Sequence, residues 1–128
     1  MTPDLRLLLW SVVLAFVQML VATVAANAQV GPGTLAGNRD PEPVLTGLAG
    51  RAQRAHRNML ENLPLFIALV VIAQIAGKAD ATTLLGAQLF FWARLAYALI
   101  YVVGIPWLRT LVWAVSAIGM FLIFLQLI

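Results

Sequence analysis

The sequence predicts an all-α transmembrane four-helix bundle, and three observations predict it. The 128 residues are 62% hydrophobic and only 10% charged, with a mean hydropathy of +0.95, where soluble domains carry about 25% charged residues. The apolar residues gather in four runs, each near the ~20 residues that a helix needs to cross a hydrocarbon core of about 30 Å. The breaks between the runs hold Gly, Pro and charge, which end helices and return polar groups to water. The length suits a single domain over residues 1–128.

The first span is expected at about 5–26, LRLLLWSVVLAFVQMLVATVAA. It ends in Ala26-Asn27-Ala28, which has the A-x-A form of a signal-peptidase site. Its apolar run exceeds the 7–15 residues typical of a signal h-region, and Arg6 before it is offset by Asp4, so a retained helix is favoured over a cleaved one. Residues 27–49 are expected to form a linker: VGPGTLAGNRDPEPVLTGLAG (30–50) contains three Pro and five Gly, which destroy any periodicity. The second span is expected at 50–76, the third at 81–104 and the fourth at 107–128. Lys78 to Asp80 makes a short loop between the second and third. Gly104-Ile105-Pro106 makes a tight one before the fourth, with Pro106 placed to open it.

Cysteine is absent, which excludes a disulfide framework, a thiolate metal site and a cysteine nucleophile. One His and no acidic pair exclude a side-chain metal cluster, and no phosphate loop or dinucleotide fingerprint occurs. The net charge of +3 and pI near 10.2 do not point to nucleic acid here, because cations in membrane proteins set topology. Arg39, Arg51, Arg54 and Arg57 lie in or just after the first connection and Arg109 just after the third, whereas the other side has Arg6 and Lys78. The positive-inside rule then puts both termini outside the cytoplasm. A short linker, a cysteine-free chain and this bias suit a bacterial inner membrane, with the endoplasmic reticulum as the alternative.

The second span poses the functional question. Its purely apolar part, Leu63 to Gly77, is 15 residues, too short to cross alone, so the charged stretch RAQRAHRNMLE before it must reach the interface or enter the membrane. At about 100° per residue, Arg51, Arg54, Arg57, Asn58 and Glu61 share one arc of roughly 120°, and His56 falls on the far side. A membrane anchor would explain the arginines and leave Asn58 and Glu61 unexplained. In the third span Arg94, Tyr97 and Tyr101 recur at i, i+3 and i+7. A cation so far from either end needs an acceptor, and Glu61 is the candidate. Arg109 and Thr110 open the fourth span on the same membrane side; Thr110 could equally be a cap. Together these residues predict a positive cavity near the cytoplasmic face, suited to a ligand with carboxylates, which arginine forks bind in bidentate fashion.

Arg54-Ala55-His56-Arg57-Asn58-x-x-Glu61-x-x-Pro64-x-Phe66 resembles the signature of the MAPEG family, the membrane-associated proteins in eicosanoid and glutathione metabolism. Ala93-Arg94-Leu95-Ala96-Tyr97 with Tyr101 resembles the third helix of its leukotriene-forming branch. Arg109-Thr110 resembles the catalytic-arginine region of its fourth helix. The resemblance implies a four-helix protomer in a homotrimer, with glutathione as cosubstrate bound between protomers near the cytoplasmic face. It implies that Arg54, Asn58 and Glu61 hold the glutathione backbone and that Arg57 adds a carboxylate contact. Tyr97 and Tyr101 would touch the tripeptide, Arg94 would be a structural or site-lining cation, and Arg109 would stabilise the thiolate. A nearby cation lowers a thiol pKa from its free value near 8.5. The thiolate would attack a lipophilic electrophile or reduce a hydroperoxide arriving from the lipid bilayer.

The chain departs from relatives at three places. Met59 stands where several have Asp, no Arg ends the first span, and Thr110 stands where the prostaglandin branch has Ser. The last argues against the prostaglandin reaction. The competing functions are a non-catalytic membrane protein binding a lipid or partner through the same pocket, and a small transporter using Arg94–Glu61 as a relay.

Overall fold

A computed structural model describes residues 1–128. The chain is all-helical: α1 Pro3–Val30, α2 Pro32–Ala36, α3 Gly47–Ile75, α4 Ala81–Val103 and α5 Pro106–Leu127. α1, α3, α4 and α5 are each long and apolar enough to cross a membrane, and they run up, down, up and down. The chain is an integral membrane protein, and its large exposed apolar residues, such as Trp10, Phe16, Leu99 and Phe121, meet lipid instead of water.

The stretch read as a linker is more ordered than expected. α1 continues through Ala26-Asn27-Ala28 to Val30, α2 occupies Pro32–Ala36, and α3 starts at Gly47. Pro32 at the first position of α2 explains why proline did not break the chain there, since its missing N–H is one that a helix start leaves unpaired anyway. Gln29 then ties the end of α1 to the start of α3. Its amide nitrogen donates to the Thr46 carbonyl at 3.1 Å, and its amide oxygen accepts from the Thr46 N–H at 2.9 Å.

Asp80 caps α4, accepting from the backbone N–H groups of Thr82 and Thr83 while the Thr83 hydroxyl accepts from the Asp80 N–H. This reciprocal box fixes the start of α4. At the other end Gly104 adopts φ 96°, and its N–H donates to the Ile100 carbonyl. A left-handed residue there reverses the chain, and glycine accepts it without Cβ strain.

Lipid tails are as apolar as leucine, so packing, not water exclusion, holds the helices together, and small residues let them approach. Ala15, Ala22 and Ala26 of α1 and Ala49, Ala52 and Ala55 of α3 are all buried. Phe66 of α3 stacks on Phe90 of α4 with centroids 3.9 Å apart, inside a core that includes Met59, Val70, Ala87 and Ile123. The closest approach joins α4 to α5: a Cβ on Gly86 would lie 2.5 Å from the Gly119 carbonyl oxygen, and one on Gly119 the same distance from that of Gly86.

Candidate functional site

The site gathers at the end of the bundle that carries the α1–α3 linker and the α4–α5 turn. α3 begins there, α4 ends there and α5 begins there, so three helix termini deliver polar side chains to one level. Arg54 Nε donates to the Tyr101 hydroxyl at 3.1 Å. The guanidinium carbon of Arg109 sits 4.5 Å from the Tyr101 ring centroid, and that of Arg54 sits 5.9 Å away. Both lie within cation–π range. The Tyr97 and Tyr101 rings are 5.6 Å apart and pack with Ala55 and Val112, which makes the tyrosines a fixed platform.

Beside this platform a cavity of about 190 Å³ is lined by Asn58, Tyr97, Arg109, Thr110 and Trp113. Asn58 is steadied from one turn below: Asn62 Nδ2 donates to the Asn58 carbonyl at 2.8 Å and to its Oδ1 at 3.3 Å. The Thr110 hydroxyl donates back to the Pro106 carbonyl at 3.4 Å, and Ile105 occupies the N-cap position of α5. Thr110 is therefore a cavity residue, not a cap.

The structure brings together Arg54, Asn58, Tyr97, Tyr101 and Arg109. It leaves Arg57 and Glu61 exposed on the outer face of α3. Arg94 lies deeper, 1% exposed, with its guanidinium carbon 4.3 Å from the Tyr97 ring centroid. The expected Arg94–Glu61 pair is not formed. All three Arg94 side-chain nitrogens lack a hydrogen-bond partner within the chain, because the buried face of α4 turns Arg94 onto Tyr97 while Glu61 points outward. The Arg94–Glu61 contact that the transporter reading used as a relay is therefore not made within the chain. His56, as its angle on the helix predicts, lines a different cavity of about 250 Å³ with Arg39, Glu42 and Gln53, beneath the linker.

Three residues of this end were not singled out as site residues from the sequence. Asn62 was signalled by its spacing of four from Asn58, which stacks the two on one helix face. Trp113 was signalled in the same way by its spacing from Arg109. Arg51 stood on the polar arc, yet its partner is backbone: its Nε donates to the Val102 carbonyl at 2.9 Å, a contact that no side-chain pattern announces.

The sequence model of the MAPEG family matches residues 7–128, nearly the whole chain. The chain belongs to the MAPEG family. No curated protein and no solved structure matches it. Within a MAPEG chain the arrangement has a plain chemical reading. Arginines outnumber the single carboxylate, Glu61, along α3 and at the start of α5, so this end is positive, and the cavity joins one half-buried guanidinium, that of Arg109, to an amide and two aromatic rings.

Proposed function

We propose that this MAPEG protein binds glutathione and activates its thiol against lipophilic electrophiles or hydroperoxides. The observation that carries the reading is the placement of Arg109 at the cavity with Asn58 and Tyr97, where a cation favours a thiolate over a thiol. A cavity of about 190 Å³ is below the ~300 Å³ of typical ligand pockets, so it takes the thiol end of the tripeptide. The remainder lies across α3, where Arg54 and Arg57 meet the two carboxylates and Glu61 meets the ammonium group. Those three residues are exposed on the protomer, which suits a ligand held between neighbouring copies in a homotrimer.

In the transfer reaction the thiolate sulfur forms a bond to an electrophilic carbon, and either the leaving group departs as an anion with the electron pair of its bond, or the C–O bond of an epoxide breaks and the ring oxygen takes up a proton. In the peroxidase reaction two glutathione thiols become a disulfide while the hydroperoxide becomes an alcohol and water. Tyr97 and Tyr101 shape the wall against which the tripeptide rests, and Arg94 supports Tyr97 from below. The positive linker end faces the cytoplasm, where glutathione is found, and an inner membrane supplies the lipophilic partner.

The test is direct. Glutathione is added to detergent-purified protein and the ultraviolet absorption of a thiolate is followed near neutral pH. A band in the natural protein that disappears in Arg109→Ala supports the reading. Binding without a band makes this a binding protein, and no binding at millimolar glutathione assigns the pocket to another anion.

A further inference from the structure

The geometry points to Arg51 as a positioning residue that holds the α4–α5 turn in the shape that presents Arg109 to the thiol. This rests on the role proposed for Arg109 and adds to it a residue outside the cavity. Helix ends leave four carbonyls without intrahelical partners, and one of those at the end of α4, Val102, is met by Arg51 Nε at 2.9 Å. The same side chain lies over the turn: a Cβ on Gly104 would sit 3.7 Å from Arg51 Cδ and Nε. Gly104 and Ile105 both donate their N–H groups to the Ile100 carbonyl, at 2.9 and 3.3 Å, and the Arg109 N–H then donates to Ile105 at 3.4 Å. A chain of contacts thus runs from Arg51 through Val102 and Gly104 to the first turn of α5.

Bond and charge can be separated because the bonding atom is Nε. The amide nitrogen of glutamine stands at the same bond distance from the backbone, so Arg51→Gln keeps the donor and removes the charge, while Arg51→Ala removes both. Two readouts are needed. In a pH titration of the glutathione thiolate band, Arg51→Ala is expected to move the midpoint up by about one unit, a tenfold loss of thiolate below it. Arg51→Gln is expected to titrate like the natural protein. In hydrogen–deuterium exchange without glutathione, Arg51→Ala is expected to speed exchange at residues 103–110 and Arg51→Gln to leave it unchanged. If alanine leaves both readouts unchanged, or if glutamine behaves like alanine, the positioning role is overturned. A natural protein with no thiolate band sinks the proposed activity instead, and exchange alone then decides whether Arg51 orders the turn.

Discussion

The guanidinium of Arg109 and the ring of Tyr101 are 4.5 Å apart, so one tyrosine connects the proposed catalytic cation to the hydrogen-bond network of α3. Its face meets Arg109, and its hydroxyl accepts from Arg54. The two halves of Tyr101 should therefore fail separately. In Tyr101→Phe the ring stays and the acceptor goes. Glutathione affinity should fall about fivefold, in line with about 1 kcal/mol for one hydrogen bond, while the thiolate band persists. Calorimetric titration beside the absorbance measurement checks this.

Replacing Arg109 by Ala should lower turnover by on the order of 10²-fold, the usual cost of one preorganised charge-stabilising group, with the helical circular dichroism unchanged. Turnover within a few-fold of the natural protein would remove Arg109 from the mechanism.

The crossing of α4 and α5 leaves no room for a methyl group. Gly119→Ala would place a Cβ 2.5 Å from the Gly86 oxygen and 3.0 Å from the Phe90 nitrogen, so the helices must separate. Overpacking of this kind costs about 1–3 kcal/mol, and the melting temperature in detergent should fall. Gly33→Ala, where nothing lies within 4 Å, should not change it.

Arg94 is 1% exposed and its nitrogens have no hydrogen-bond partner within the chain. A buried charge without acceptors is costly, so Arg94→Met, similar in length and apolar, should raise the melting temperature in detergent. A lower melting temperature would show that the contact of Arg94 with the Tyr97 ring outweighs the cost of burying its charge.

The absence of cysteine makes orientation measurable with single introduced thiols. Val44→Cys, at an 84% exposed linker position, should react with a membrane-impermeant maleimide only in inverted vesicles. Ala79→Cys, in the opposite loop, should react only from outside the cell.

Much of this arrangement was legible because the bilayer simplifies the reading. Four apolar runs separated by Gly, Pro and charge admit few structures in lipid, and the arc from Arg54 to Glu61 followed from helical spacing alone. Tyr97, Tyr101 and Arg109 could be placed on one membrane side for the same reason. The Arg94–Glu61 pair was misread because spacing gives the angle of a side chain on its own helix and not the rotation of that helix against the next. Helix α2 was missed because Pro and Gly were read as breakers, although Pro32 stands where a helix can begin. The bond from Arg51 to the Val102 carbonyl was invisible because backbone acceptors carry no sequence signature.

With no side-chain layer between them at Gly86 and Gly119, α4 and α5 have nothing to slide on. Tyr97, Tyr101, Arg109 and Trp113 therefore stand on one interlocked pair of helices, a single arm of the bundle. The two side-chain hydrogen bonds linking that arm to α3 are those of Arg51 and Arg54, both at the linker end, and the contact below them is largely apolar. The seam between α3 and the arm is thus joined by two kinds of chemistry: directional hydrogen bonds at the linker end, and below them side-chain packing such as the Phe66–Phe90 stack, whose dispersion contacts carry no directional demand.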